Sequence, residues 1–351
     1  MKKILTLFLT TVMVISSLTL FSACGTRNTN AGGKEGGKKE TEWTAVTVKD
    51  QSGREVAIEN EPQKIVSGYY ISTLACITLG LNDRMAGIES KAASRPIYSL
   101  AAPDLIAKEG CGNKKGLDME KVTSLEPDLV ILAKAQQDSV DSLTEMGIPC
   151  IVVDPESHDK LVEMIELIGK ATGKTDEAKK LTGYYEKAIK NVSALASKAA
   201  DTPSVLFCGT DNYLTCAPEG TYQANMIATA GGRNAAKDVQ GKSFTEISYE
   251  QIIAMNPDYI ILPSEASYSV DDVKNDPQLK DVTAVKNGKV YAMPSAFDPW
   301  DSPVPGGIMG NYWMLSALHE DVYSLKDLQA EAKSFYETFY SFTPDVNQIT
   351  K

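Results

Sequence analysis

Three sets of side chains in this 351-residue chain have the chemistry to do something: two histidines, six cysteines, and aromatic and basic residues scattered through short polar stretches. The histidines are too few for a bare transition-metal site, which wants several His with carboxylates. His158 opens a helical pattern and His319 lies in another beside Glu320, so neither has a convincing nucleophile or metal partner in sequence. The runs Gly231-Gly232-Arg233 and Pro305-Gly306-Gly307 lack a phosphate-loop pattern and read as turns and helix starts. The expectation is a protein that is not an enzyme, binds no metal directly and needs no cofactor. Cys76 and Cys150 sit inside apolar runs and read as small buried hydrophobes, whereas Cys208 and Cys216 can bridge only if a turn brings them together.

The aromatic and basic residues say more, because they follow predicted strands. In the first half these are Tyr69, Tyr70, Lys91, Arg95 and Lys134; in the second they are Asn212, Tyr213, Lys242, Phe297 and Trp300. Rings supply contact area at low entropic cost and cations meet negative charge, so the set suits a bulky, partly apolar, anionic small molecule. Any one of these tyrosines would serve equally well as a core or rim residue.

The elements that position them alternate strand and helix. After a hairpin over Val46 to Ile58, strands are predicted at Lys64–Ser67, Met85–Ile88, Leu129–Leu132 and Cys150–Val153, with helices between. The second half repeats the habit with strands Ser204–Phe207, Tyr259–Leu262 and Lys289–Met293, and helices from Ile308 and Leu325 close the chain. Such alternation implies parallel βαβ units. Leu117 to Leu132 is echoed by Ile247 to Leu262, with Glu120 and Pro127 spaced as Glu250 and Pro257 are. Between the halves, Leu161, Ile165, Ile168, Leu181, Tyr185, Ile189 and Val192 recur at helical spacing. The fold class predicted is α/β: two Rossmann-like lobes with parallel sheets, joined by one long helix kinked or interrupted near Gly173, with a ligand cleft between the lobes. The boundaries are a signal over 1–23, a tether over 24–42, an N-terminal lobe over 43–156, the linker helix over 157–200 and a C-terminal lobe over 201–351.

The ends and the charge narrow the class. Lys2 and Lys3 precede an apolar run to Leu20, and Leu20-Phe21-Ser22-Ala23-Cys24 resembles a bacterial lipoprotein signal, which makes Cys24 the lipidated N-terminus. Gly25 to Glu40 holds no large apolar residue and reads as a flexible tether. A net charge of −11 with no basic stripe excludes a nucleic-acid binder.

The chain resembles the bacterial substrate-binding lipoproteins that feed ABC importers of iron-siderophore complexes, haem and cobalamin. The likeness rests on the order of Asp50-Gln51-Ser52-Gly53-Arg54, Pro62-Gln63-Lys64-Ile65-Val66, Leu79-Gly80-Leu81-Asn82-Asp83-Arg84, Leu125-Glu126-Pro127-Asp128, Gly147-Ile148-Pro149 and Asn256-Pro257-Asp258-Tyr259. It implies ligand held between two lobes and one acidic residue on each lobe docking onto a permease; by position these are Glu120 and Glu250. It also implies a lipid-anchored monomer on the extracytoplasmic face of the cell membrane, partnered by ABC permease and ATPase subunits. The expected cargo is an iron-siderophore or similar metal chelate, with a corrinoid, haem or an oxyanion as alternatives; a surface chelatase or adhesin is the alternative of another class.

Overall fold

Val46–Lys49 and Glu55–Ile58 form the predicted antiparallel hairpin, and its turn explains why Asp50 and Arg54 stand where they do. The Asp50 carboxylate accepts from the Ser52, Arg54 and Val152 backbone N–H groups and pairs with the Arg54 guanidinium at 2.7 Å. Burial alone would raise its pKa, but these donors hold it below the usual carboxylate value. One buried carboxylate thus closes the turn and pins it to the next layer. The computed structural model describes residues 43–351; the signal, Cys24 and the tether lie outside the described residues.

Each half of the chain builds a parallel sheet. In the first lobe the order is Glu109–Gly110, Met85–Ile88, Ile65–Ser67, Leu129–Ala133, Cys150–Val153. In the second it is Arg233–Asn234, Ser204–Phe207, Tyr259–Leu262, Val290–Ala292. Apart from the extra edge strand Glu109–Gly110, the two orders are the same. Leu129–Ala133, Cys150–Val153, Ser204–Phe207 and Tyr259–Leu262 are buried throughout, as strands covered on both faces must be.

The repeated sequence turns out to be a repeated strap. Glu126 (φ 48°) and Asn256 (φ 42°) both adopt the left-handed conformation just before Pro127 and Pro257. Asp128 then accepts from the Gln63 and Lys64 N–H groups at 2.7 and 2.8 Å, and Asp258 accepts from the Ser204 N–H at 2.8 Å. Each aspartate ties the start of its lobe's first strand to the start of a neighbour.

The linker is corrected by the structure. The interruption expected near Gly173 is present, but it is a reversal between two helices, His158–Ala171 and Thr175–Ala196, with Gly173 at φ +74°. They lie side by side as a hairpin: the Thr182 hydroxyl reaches Glu166, and a Cβ on Gly169 would stand 2.5 Å from that of Ala178. The first helix belongs to the N-terminal lobe, where Gln51 Nε2 donates to the Lys160 carbonyl and Lys170 Nζ to the Thr47 carbonyl, both at 2.8 Å. Thr175–Ala196 runs on to the second lobe, where the Tyr185 hydroxyl donates to the carbonyls of Val304 and Pro305 at 2.8 and 2.7 Å. Sequence periodicity could not show this, because a reversal and a kink leave the same apolar pattern.

Helix Ile308–Leu318 is buried on every side, and close approach explains its glycine-rich entry. A side chain at Gly306 would strike Asp298, and one at Gly307 would strike Ser302 and Tyr222. The five cysteines of the described residues are buried and free. Cys208 and Cys216 nonetheless face each other in an isolated antiparallel bridge, brought together by the turn between them.

Candidate functional site

In parallel sheets the loops after the strands line the site, and these loops meet across the two lobes. Strand Ile65–Ser67 ends at Gly68, where a side chain would collide with Leu117 and Gln136. Tyr69 then caps helix Tyr70–Thr78, its carbonyl accepting from the Ser72 and Thr73 hydroxyls at 2.9 and 3.1 Å. With the turn fixed, the Tyr69 and Tyr70 rings meet edge to face at 5.3 Å. The Arg95 guanidinium lies 4.0 Å over Tyr70, and Lys114 Nζ lies 5.7 Å from the Tyr69 ring centre.

The tyrosine pair and Lys114 stand between two hollows. One, of about 360 Å³, is lined by Tyr70, Glu89, Lys91, Arg95, Lys114 and Lys115. The other, of about 250 Å³, is lined by Tyr69, Lys114, Lys134, Asp154 and Glu156 among others. A larger groove lies between the N-terminal hairpin and helix His158–Ala171 and shares no lining residue with either hollow.

Charge on this wall is mostly positive. Glu89 is buried, accepting from the Thr73 hydroxyl at 2.9 Å and from the Tyr98 hydroxyl. Burial raises its pKa despite those bonds, which favours its neutral form. Asp154 behaves oppositely: burial alone would raise it, but the ammonium groups of Lys134 (2.7 Å) and Lys160 (3.2 Å) hold it low and ionised. Glu156 pairs with Lys114 at 3.2 Å. Burial pushes the Tyr70 hydroxyl up to about 12 while Arg95 and Ser302 pull the other way, so it remains a neutral hydrogen-bonding group. Arg95 also crosses to the second lobe, its Nη1 reaching Glu265 Oε1 at 3.1 Å.

The structure brings together Tyr69, Tyr70, Lys91, Arg95 and Lys134 from the predicted set. It adds Lys114 and Lys115, which sit on a tight hairpin between Gly112–Asn113 and Gly116–Leu117. The Asn-Lys-Lys-Gly turn was the available signal, with the Asn113 side chain accepting from the Lys115 N–H at 2.9 Å. Ser302 is also new, and Glu265, in the strand-end loop Ser264-Glu265-Ala266 expected to meet ligand, acquires its partner only through tertiary contact.

The second lobe differs more. Phe297 and Trp300 are corrections: both are buried in the core and, unlike the equally buried Tyr69, line neither hollow. Trp300 Nε1 donates to the Tyr336 hydroxyl at 2.7 Å, and Tyr336 in turn donates to the buried Asp298. A Trp in a polar loop has the same sequence signature whether it points in or out. Asn212 is exposed, its side chain accepting from the Leu214 N–H within its own turn. The Tyr213 hydroxyl donates to Asp276 at 2.7 Å, and its ring packs against that of Tyr268, both within the second lobe. Lys242 is exposed, and nearby Phe244 is an exposed ring over Gly209 and Phe207. Glu120 and Glu250 are each the second residue of a short helix, Met119–Ser124 and Tyr249–Met255, and both are exposed.

His158 packs its ring 4.6 Å from that of Tyr222 and its Nε2 lies 3.2 Å from Asn311 Nδ2. Burial pushes it down to about 4, so it is neutral at physiological pH. Among the described residues no cluster of three or more His, Cys, Asp or Glu is placed to hold a metal ion.

Two similarly ordered α/β lobes, with their strand-end loops facing across a basic, tyrosine-lined cleft, define a two-lobed solute-binding protein. The chain belongs to the periplasmic binding protein family, whose model matches residues 65–297. It is 28% identical over 262 residues to the ABC transporter substrate-binding lipoprotein YvrC of Bacillus subtilis, covering 72% of this chain and 80% of that one. It is 28% identical over 312 residues to the petrobactin-binding protein YclQ of Bacillus subtilis, covering 84% and 92%. A periplasmic solute binding protein of Veillonella parvula DSM 2008 superposes with a TM-score of 0.77 at 27% identity, covering 87% of this chain and 95% of that one.

Proposed function

We propose that this protein captures an anionic metal chelate, of the iron-siderophore kind, between its lobes and delivers it to an ABC importer. The observation that carries this reading is the cleft wall itself: Tyr69 and Tyr70 stacked edge to face, with Arg95, Lys114, Lys91 and Lys134 around them. Rings can pack on the organic shell of a chelate while the cations meet its charge, and the metal needs no protein ligand because the chelator already surrounds it. The protein then acts by binding and hand-over, without catalysis.

In this reading residues 1–23 are removed, Cys24 carries the lipid, and a monomer works on the extracytoplasmic face of the membrane. The lipoprotein name of the Bacillus subtilis relative supports the anchor. Glu120 and Glu250, exposed at matching positions of the two lobes, dock onto basic residues of a permease driven by ATPase subunits. Replacing both with Ala should leave ligand affinity unchanged and abolish uptake of radiolabelled iron chelate into cells. Loss of binding in the purified double variant would move these carboxylates from docking to the ligand pocket.

A further inference from the structure

Arg95 and Glu265 form a charged pair that joins the two lobes across the cleft, and they are unequally buried. The Arg95 side chain is 19% exposed and that of Glu265 is 60% exposed. Arg95 is held from one side by the Tyr70 ring at 4.0 Å, yet its buried Nε has no hydrogen-bond partner among the described residues. Glu265 therefore engages Nη1 alone and leaves part of the guanidinium fork unused. A guanidinium is best matched by two oxygens at once, so an anion offering both would satisfy this fork better than Glu265 does. The surrounding charge points the same way: Lys91, Lys114 and Lys115 line the hollow with Arg95, and its carboxylate, Glu89, is turned to Thr73 and Tyr98.

We infer that Glu265 is an intramolecular competitor for the ligand: its carboxylate occupies Arg95 and latches the empty lobes together, and an anionic group of the incoming ligand displaces it. This rests on the reading of the cleft as the chelate site and adds to it a selection rule. A ligand carrying a carboxylate, catecholate or similar pair of anionic oxygens takes Arg95 and releases Glu265, whereas a neutral ligand leaves the latch shut. Because Glu265 is largely exposed, its hold is weak enough for a ligand to break. No proton is transferred; the step is an exchange of ion pairs.

The test compares wild type with Glu265→Gln, Arg95→Gln and the double variant, using the full chain in mild detergent. Affinity is measured for ferric citrate, for iron-loaded catecholate and hydroxamate siderophores, and for molybdate. Glu265→Gln should bind the anionic probe that wild type binds about two- to fivefold more tightly, the range expected for losing an exposed ion pair. That gain should fade in 1 M salt, where such pairs are screened. Arg95→Gln should weaken binding at least tenfold, as loss of a charged hydrogen bond does, and Glu265→Gln should then bring no gain in its background. In the ligand-free protein, amide exchange over residues 92–101 and 263–269 should be faster in Glu265→Gln than in wild type. Unchanged or weaker binding by Glu265→Gln, or a gain that persists without Arg95, overturns the competitor. Unchanged exchange overturns the latch. If none of the probes binds wild type or Glu265→Gln, the chelate reading itself fails, and the exchange comparison still decides whether the latch exists.

Discussion

Asp298 shows what a single side chain does when the fold closes over it. It is 2% exposed and accepts from the hydroxyls of Tyr336 and Tyr340, yet burial outweighs those bonds and raises its pKa to about 6. The folded protein therefore holds this proton more tightly than the unfolded chain does, and stability falls as pH climbs from about 4 through about 6. Asp298→Asn should lack that slope. Its stability relative to wild type should improve by about 2.5 kcal/mol between pH 4 and pH 8, most of the free energy of a shift of about two pKa units. Chemical denaturation at the two pH values measures this, and an equal offset at both would place the charged form in a better-solvated setting. Asp50 and Asp154, held low, work in the other direction, but they are common to both proteins and cancel in the comparison. The sequence reading failed at this same loop, because Phe297 and Trp300 were judged by type. Tyr69, Tyr70, Arg95 and Lys134 were legible because strand ends next to aromatic and basic residues converge in this architecture. The pairing of Glu265 with Arg95 was not, since the two lie 170 residues apart in the chain.

The elements were read more fully than the site. Met85–Ile88, Cys150–Val153, Ser204–Phe207 and Tyr259–Leu262 stand where their β-branched and apolar runs placed them. Short edge pieces such as Glu109–Gly110 and Arg233–Asn234 escaped, since two residues carry no periodicity and exist only through their neighbours. The interlobe helices were misjudged in direction alone. Gly173 marks the reversal, and its φ of +74° together with Trp43 3.1 Å from a would-be Cβ makes it hard to replace. Gly173→Val should cost about 1–2 kcal/mol from the left-handed backbone alone, and more if the indole has to move. Thermal unfolding of the variant reads this cost, and an unchanged midpoint would mean that the turn relaxes without strain.

At the scale of the whole molecule, the fold is a repeated lobe. Two lobes with one strand order and one Pro-Asp strap each bring their loops to a shared cleft, and each carries an exposed glutamate at the matching helix start. The lobes are not equal in the cleft, however. The first supplies the tyrosine pair and the basic residues that line the hollows, while the second supplies Glu265 and Ser302. Capture of an anionic chelate is the claim on which this account stands. The most direct test is thermal unfolding of the full chain in mild detergent against ferric citrate, iron-loaded siderophores, cobalamin, haem and molybdate. A ligand at a hundred times its dissociation constant should add about 2.7 kcal/mol. The account predicts a raised midpoint with an iron-loaded anionic chelate, much reduced in Arg95→Gln. A raised midpoint only with a neutral ligand, or an equal one in Arg95→Gln, would contradict it.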